Sequence, residues 1–203
     1  MQLFHYHLLT SRVRDLEARY LGKLGFQLVA RYGRVGDEEA SYEPGVSWEQ
    51  LDELGFRLRL SELQRGAINV VIQPGQWPQP RVDHLGFACE DEEFLGVLGR
   101  ASQLDLRVQE HGGRRTFVTT NAGYRLEVHP RRDWIDDLLA AADDLRVEEL
   151  HLRADEPQAK GAALEQILEL PSADGAYRAG DTLVRFLPGG PQGRPVLHAE
   201  LFA

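Results

Sequence analysis

A strand–helix–strands order that recurs along the chain constrains its fold more than any other feature. The first copy has a strand pattern, a helical pattern and three more strand patterns, at residues 3–10, 11–23, 26–33, 56–60 and 67–74. The second copy has the same order at residues 82–89, 91–101, 106–112, 115–120 and 124–130. Self-similar segments fold as one supersecondary unit each and stack on their neighbours. The sequence therefore predicts two consecutive βαβββ units.

The remaining residues predict a linking helix and a third, abbreviated unit. The predicted boundaries are 1–80 for the first unit, 81–131 for the second, 132–146 for the helix and 147–203 for the third, βαβ-type unit. Units that each present a sheet and a helix pack into layers around a shared core. The predicted fold class is α+β, with tandem βαβββ units that form curved mixed sheets around a cleft.

Composition and charge exclude several classes of protein. Hydrophobic residues make up 42% of the 203 residues, so a sizeable core can form, and the formal net charge of −9 argues against nucleic acid as a partner. No apolar run is long enough to span a membrane, and the first residues lack the pattern of a signal peptide. Cys89 is the single cysteine, which excludes a disulfide scaffold and a cysteine-rich zinc site. We expect a cytoplasmic protein.

Three predicted strands carry residues that can bind a metal. His84 shares a strand face with the small Gly86, a combination that suits a lined cavity better than a filled core. Glu127 lies in mid-strand among apolar neighbours, where a carboxylate is costly to bury unless it is paired or binds a cation. His5 and His7 lie on one face of the opening strand because side chains alternate along a strand.

Two imidazoles and one carboxylate from three strands have the composition of a facial metal triad. Such a triad leaves neighbouring coordination positions open, so a small molecule can chelate the metal through two vicinal oxygens. The alternative for His84 and Glu127 is a buried pair that satisfies itself without a metal.

Three segments of this sequence resemble the vicinal oxygen chelate superfamily, which includes glyoxalase I, extradiol dioxygenases, fosfomycin-resistance enzymes and bleomycin-resistance proteins. TTNAGYRLEVHP at 119–130 is similar to the last-strand signature of the family, in which a turn with Asn and Gly precedes a metal-binding Glu. VDHLGFACED at 82–91 resembles its opening strand, and DLEARYLGKLGFQLV at 15–29 resembles the helix and turn of a first unit. The resemblance covers roughly residues 3–130.

The resemblance implies that His84 and Glu127 are metal ligands and that the first strand supplies a third. Counting back from a helix start at Ser11 favours His5, whereas counting from Asp15 favours His7, and the length of the helix favours the former.

The family also suggests which chemistry to expect. In the glyoxalases a further ligand comes from the last strand of the first unit, and Val71 stands at that position here. The pattern is therefore more similar to the extradiol dioxygenases, which makes Fe²⁺ the favoured cofactor over Zn²⁺, Mn²⁺ or Ni²⁺. The expected function is a metal-dependent enzyme, a dioxygenase, lyase or isomerase, that acts on a small molecule.

Other residues are candidates for binding the substrate or ligand. Trp48 belongs to a polar segment, 34–53, that is predicted to be a loop near the cleft, and Tyr124 and His111 are close in sequence to the predicted ligands. The rival hypothesis is a metal-free binding protein of the bleomycin-resistance type. In that case the acidic balance attracts a cationic ligand, and Trp48, Trp77 and Trp134 stack on it.

The third unit contains a further group of acidic and histidine residues, Glu149, His151, His198 and Glu200. A second metal site is one interpretation, and a solvated strand surface is the preferred one. An odd third unit lacks a partner unit, so it either packs against a second copy in a homodimer or shields an exposed sheet edge.

Overall fold

A computed structural model of the chain describes residues 1–111, 115–130, 137 and 145–202. The first unit consists of β1 (Gln2–Thr10), α1 (Val13–Lys23), β2 (Gln27–Val35), β3 (Glu38–Tyr42), α2 (Trp48–Glu53), β4 (Phe56–Arg65) and β5 (Ile68–Pro74). The second consists of β6 (Arg81–Cys89), α3 (Asp91–Gln103), β7 (Arg107–His111), β8 (Arg115–Thr119) and β9 (Arg125–Pro130). The third consists of β10 (Val147–Arg153), α4 (Pro157–Leu168), β11 (Ser172–Ala173), β12 (Ala176–Ala179), β13 (Thr182–Leu187) and β14 (Val196–Phe202).

The opening strands of the first two units lie side by side at the centre of a mixed sheet. Within each unit the opening strand pairs in parallel with the last strand, β1 with β5 and β6 with β9. Between the units β1 and β6 pair antiparallel, and β4, β2 and β3 extend the sheet on one side, as β8 and β7 do on the other. The fold is α+β, with tandem units, as the sequence predicts.

The third unit uses the same pairing rules with shorter strands. β10 pairs in parallel with β13 and antiparallel with β14, much as β1 pairs with β5 and β6. A single residue pair, Val196 with Arg81, joins β14 to β6 and so connects the third unit to the rest of the sheet.

The two faces of the central strands have different chemistry. Tyr6 and Leu8 of β1 pack with Leu16 of α1, and Leu85 of β6 packs with Val97 of α3, in one apolar core. Residues that alternate with these along the strands point away from the helices, and we call that side the site face. His5, His7, His84 and Glu127 all lie on the site face.

Segment 34–53 is not the loop that its polar composition predicts. It contains β3, which forms a hairpin with β2, and α2, whose start is stabilised by reciprocal hydrogen bonds between Ser47 and Gln50. The short helix forms because these two residues make a capping box, in which each side chain accepts from the backbone of the other.

The helix starts also differ from the predicted ones. α1 begins at Val13, so neither Ser11 nor Asp15 caps it, and the side chain of Thr10 instead accepts a hydrogen bond from the Arg12 amide. The predicted linking helix at 132–146 lies outside the described residues, apart from 137, 145 and 146. None of the described helices combines the length and the apolar character that crossing a membrane requires.

Candidate metal centre

The pairing of β1, β6 and β9 brings the predicted ligands together. His5 of β1 lies opposite Gly86 of β6, which in turn lies opposite Glu127 of β9. In the neighbouring row His7 of β1 lies opposite His84 of β6. Four candidate ligands from three strands therefore occupy two adjacent rows of the site face.

Three of these side chains converge on one point. The Nε2 atoms of His5 and His84 are 3.1 Å apart, and Glu127 Oε2 lies 2.9 Å from His84 Nε2 and 3.8 Å from His5 Nε2. Neighbouring donors that share one ion through bonds of about 2.1 Å are about 3 Å apart. All three side chains are buried. The donor set and its spacing therefore fit a divalent metal ion.

The hydrogen bonds of the two Nδ1 atoms turn the Nε2 atoms of both imidazoles toward the cluster. His5 Nδ1 lies 2.7 Å from Asn69 Oδ1, and the amide nitrogen of Asn69 donates to Glu62 Oε1 at 2.9 Å, which leaves Oδ1 as an acceptor. His84 Nδ1 lies 2.9 Å from Asp83 Oδ2. Both Nδ1 atoms therefore donate, and both Nε2 atoms face the cluster, where a metal can replace a proton shared with Glu127, the arrangement common among metal-binding histidines.

Charge at the centre is set by burial and by these hydrogen bonds. Burial lowers the pKa of His5 to about 4, so its imidazole is neutral at neutral pH and available to a metal. Burial by itself would raise the pKa of Glu127, but hydrogen bonds with His129 and His84 hold it well below its usual range. The pKa of Asp83 is lowered in the same way, against the effect of burial, by hydrogen bonds with His84 and Arg125.

Gly86 makes the row between His5 and Glu127 possible. A Cβ atom added at this glycine would lie 2.8 Å from the Cβ of His5 and 3.2 Å from its Cδ2, closer than side chains normally approach. The missing side chain therefore leaves the space in which the His5 ring approaches the Glu127 carboxylate.

Asn69, Asp83 and His129 support the centre and were not predicted from the sequence. His129 Nε2 lies 2.8 Å from Glu127 Oε1. Alternation was the available signal for Asn69 and His129, because each lies two residues from a position already considered, Val71 and Glu127 respectively. Asp83 had no such signal, since a neighbour in sequence is expected on the opposite face of a regular strand.

The structure brings both histidines of β1 to the cluster. The donor atoms of His5, His7 and His84 all lie within 4.8 Å of one another. Only His5 of the β1 pair has an ion-pair contact with Glu127 among those found in the described residues. The Nε2 atom of His7 is instead buried without a hydrogen-bond partner.

The structure places one of the predicted substrate-binding residues near the centre. The His111 ring is 5.5 Å from that of Phe117, which is 5.1 Å from that of His84, both measured between centroids. Tyr124 is instead 2% exposed, and its hydroxyl donates to the backbone oxygen of Lys160 in α4. Its side chain therefore packs between the second and third units, away from the cluster.

Trp48 lies on the helix side of the sheet, not on the site face. Its indole nitrogen donates to Glu17 of α1 at 2.9 Å, and the guanidinium groups of Arg14 and Arg31 lie 4.6 and 4.3 Å from its ring centroid. Trp77 contacts Arg81 in a similar way, at 5.2 Å. Trp134 lies outside the described residues. The described tryptophans therefore stack on the protein's own arginines.

The third-unit residues do not converge on one point. His151 Nε2 lies 2.5 Å from Glu149 Oε2, which also accepts from Arg185 at 3.1 Å. Glu200 points to the opposite face, where it accepts hydrogen bonds from the hydroxyl groups of Tyr6 and Tyr20. The side chains of Glu149 and His151 therefore lie on one face of the sheet and that of Glu200 on the other.

Comparisons with known proteins give a match at the level of structure. No protein-family model matches the chain, and no curated protein sequence matches it. A mutant 4-hydroxymandelate synthase from Streptomyces coelicolor has a TM-score of 0.61 and 11% identity, over 96% of this chain and 69% of that one.

Two further structures give the same result. The Mn(II)-bound glyoxalase from Novosphingobium aromaticivorans has a TM-score of 0.59 and 11% identity, over 97% of this chain and 63% of its own. BphC, a halotolerant catechol dioxygenase, has a TM-score of 0.62 and 9% identity, over 99% of this chain and 69% of its own. This chain thus spans about two thirds of the length of the three structures. All three have the fold of the vicinal oxygen chelate superfamily.

Proposed function

We propose that this chain, which has the vicinal oxygen chelate fold, is a metal-dependent enzyme that acts on a small molecule with two vicinal oxygens. The observation that carries the proposal is the convergence of His5 Nε2, His84 Nε2 and Glu127 Oε2 within 3.8 Å of one another in a buried position. Two imidazole nitrogens and a carboxylate oxygen at this spacing are donors that one cation can bind together.

A divalent metal held by these residues would act as a Lewis acid that polarises the two oxygens of the substrate. The chain supplies the remaining requirements. Glu127 offsets part of the charge of the metal, and Asn69 and Asp83 hold the imidazoles in the orientation that binds it. Burial excludes water from these groups and strengthens their electrostatic interactions.

The identity of the metal belongs to the same proposal. A two-histidine, one-carboxylate set is typical of non-haem Fe²⁺, which makes iron the first choice, while Zn²⁺, Mn²⁺ and Ni²⁺ bind similar donors. The glyoxalase of similar fold is a Mn(II)-bound protein, which supports including Mn²⁺ among the ions to test.

Elemental analysis tests the proposal directly. The protein should be purified without chelators and without a His-tag, then measured before and after incubation with each of the four ions. We expect near-stoichiometric metal in the wild type and none in a His84→Ala/Glu127→Ala double variant, with Glu127→Gln as the conservative control for folding. If the wild type remains free of metal under all these conditions, the proposal is wrong.

A metal-free binding protein is the second candidate, and one observation favours it. Each oxygen of Glu127 already has a protein partner, His129 at 2.8 Å and His84 at 2.9 Å, so the carboxylate is satisfied without a cation. Saturable binding of a cationic aromatic probe by metal-free protein, with no turnover, would support this candidate. The positions of Trp48 and Trp77 weigh against it, because arginines already occupy their rings.

We further propose that the protein is a cytoplasmic homodimer that associates through its third unit. Leu201 of β14 is 45% exposed, and Glu149 and His151 present a half-buried polar pair on the same sheet. Light scattering at increasing protein concentration tests the dimer, and subcellular fractionation tests the location. A constant monomer mass over a wide concentration range would exclude the dimer.

A further inference from the structure

We propose that His7 is a fourth ligand of this metal centre, which then consists of three imidazoles and one carboxylate. The inference rests on the proposed function, because it needs a metal at His5, His84 and Glu127. It goes further by assigning a ligand that a three-residue centre does not contain, and by narrowing the class of reaction.

The first observation is the unpartnered nitrogen of His7. Its side chain is more than nine-tenths buried, and its Nε2 atom has no hydrogen-bond partner. Leaving a buried polar atom unsatisfied is costly and uncommon in folded proteins. Val71, the residue opposite His7 on β5, is apolar and offers no partner. A cation bound beside this ring would satisfy the nitrogen.

The second observation is the position of the ring. His7 lies directly opposite His84 on the neighbouring strand, and their ring centroids are 4.7 Å apart. The donor atoms of His5, His7 and His84 fall within 4.8 Å of one another. Donors on opposite sides of one ion are at most about 4.2 Å apart, so a contraction of about half an ångström brings all three to a shared ion.

A fourth protein ligand changes what the metal can bind. A facial triad on an octahedral ion leaves room for a bidentate substrate and for dioxygen beside it. With His7 bound as well, the remaining positions accommodate the bidentate substrate alone. The inference therefore assigns the chain to Lewis-acid catalysis on a chelated substrate, without dioxygen as a further ligand.

Electron paramagnetic resonance of the Cu²⁺-loaded full chain tests the assignment, because nitrogen couplings report how many imidazoles bind the ion. We expect couplings from three imidazoles in the wild type and from two in His7→Leu. His198→Gln, a change at an exposed histidine of the third unit, is the matched control and should leave the spectrum unchanged.

Titration with Mn²⁺ supplies the second readout. His7→Leu should weaken Mn²⁺ binding by more than about 100-fold, beyond the 10–100-fold that loss of an outer hydrogen-bond partner produces. The metal-free variant should unfold at the same denaturant concentration as the wild type or a higher one, because the substitution removes an unsatisfied buried nitrogen. A loss of metal affinity without a loss of metal-free stability thus identifies a ligand and not a packing defect.

The possible failures are distinguishable. If the wild type binds Cu²⁺ with two imidazoles and His7→Leu leaves the spectrum and the affinity unchanged, the fourth ligand is wrong and the three-residue centre stands. If neither Cu²⁺ nor Mn²⁺ binds the wild type, the proposed function itself fails.

The number of coordination positions that the protein leaves open on the metal can be tested with Fe²⁺-loaded protein. Catechol serves as a bidentate probe and nitric oxide as an analogue of dioxygen. We expect no nitrosyl signal in the wild type once catechol is bound, and a signal in His7→Leu. A nitrosyl signal of equal intensity in both proteins would overturn the assignment.

Discussion

The first two units and the third unit carry similar residues on similarly paired strands, yet only the first two form a centre. At the junction of β1 and β6, His5 and His7 meet a histidine on the neighbouring strand. At the junction of β10 and β14, Ala199 stands opposite His151, which instead contacts Glu149 of its own strand. The two junctions therefore contain the same types of residue, but only at the junction of β1 and β6 do the histidines face one another across the strands.

The contacts of the Glu127 and Glu200 carboxylates show the same difference between the units. Glu127 of β9 points to the site face and meets imidazoles, whereas Glu200 of β14 points to the helix side and meets the hydroxyl groups of Tyr6 and Tyr20. Its other oxygen lies 2.9 Å from Arg19 Nη2. The metal centre thus depends on the strand register between the first two units. In the third unit the carboxylate of Glu200 instead attaches β14 to the first unit.

The largest expected effect is on metal binding. The double variant His84→Ala/Glu127→Ala should abolish it, whereas Glu149→Ala/His151→Ala, the matching change in the third unit, should leave it unchanged. In the third unit the Arg185 guanidinium lies 3.1 Å from Glu149, closer than the 3.7 Å between Arg115 and Glu127, so it competes more strongly with a cation. Isothermal titration with Mn²⁺ measures both variants, and a loss of binding in the third-unit variant would remove the contrast between the regions.

Attachment of the third unit gives the next largest effect. Tyr20→Phe removes a hydrogen bond to the buried Glu200 carboxylate, and we expect a loss of about 1.5–3 kcal/mol in the free energy of unfolding. Tyr42→Phe, a half-buried tyrosine in the β3 hairpin, is the control. Chemical denaturation gives the energy, and hydrogen exchange should show faster opening of β14. Unchanged exchange in β14 would mean that other contacts hold this strand.

The stability of the metal-free protein should depend on pH through His5. Its pKa is about 4 in the folded state and about 6.5 in the unfolded chain, so the unfolded state binds more protons between these values. Stability is therefore fully present above pH 6.5 and falls as the pH is lowered toward 4. His5 by itself contributes a loss of about 2 kcal/mol between pH 7 and pH 5, and His7, whose pKa is also lowered by burial, adds to the loss in the same direction.

Denaturant titrations at the two pH values, in the presence of a chelator, measure this loss. The dependence should be smaller in His5→Leu, because one histidine that is buried in its neutral form is gone. An equal dependence in wild type and variant would show that His5 does not titrate in this way.

The smallest expected effect on stability comes from Gly86→Ala. The new methyl group meets His5, so crowding costs about 1–3 kcal/mol, offset by the 0.4–1 kcal/mol gained when a flexible glycine is replaced. We expect a net loss of about 1–2 kcal/mol, together with weaker metal binding because His5 is displaced. Gly99→Ala in α3, where a Cβ meets no atom within 4 Å, is the control and should not destabilise the protein. Unchanged metal affinity in Gly86→Ala would show that a side chain at position 86 does not displace His5.

Much of the fold was predictable because repeats and alternation are local properties. The order of the strands and helices in the first two units follows from the sequence, and so do the faces of His5, His7, His84 and Glu127. The short helix α2 was missed because its cap, Ser47 with Gln50, lies in a strongly polar segment. The sequence places Trp48 near the cleft because of its position along the chain. Position along the chain does not determine on which side of the sheet a side chain lies, and Trp48 lies on the helix side.

The sequence by itself determined the repeated units, the candidate ligands and the chemistry that those residue types allow, because these depend on neighbours along the chain. Tertiary structure decided which of them meet. Strand register places Gly86 between His5 and Glu127, brings His7 opposite His84 and sends Glu200 to the helix side. A shift of register by one residue reverses the face of every side chain in a strand, and the packing of the whole sheet fixes that register.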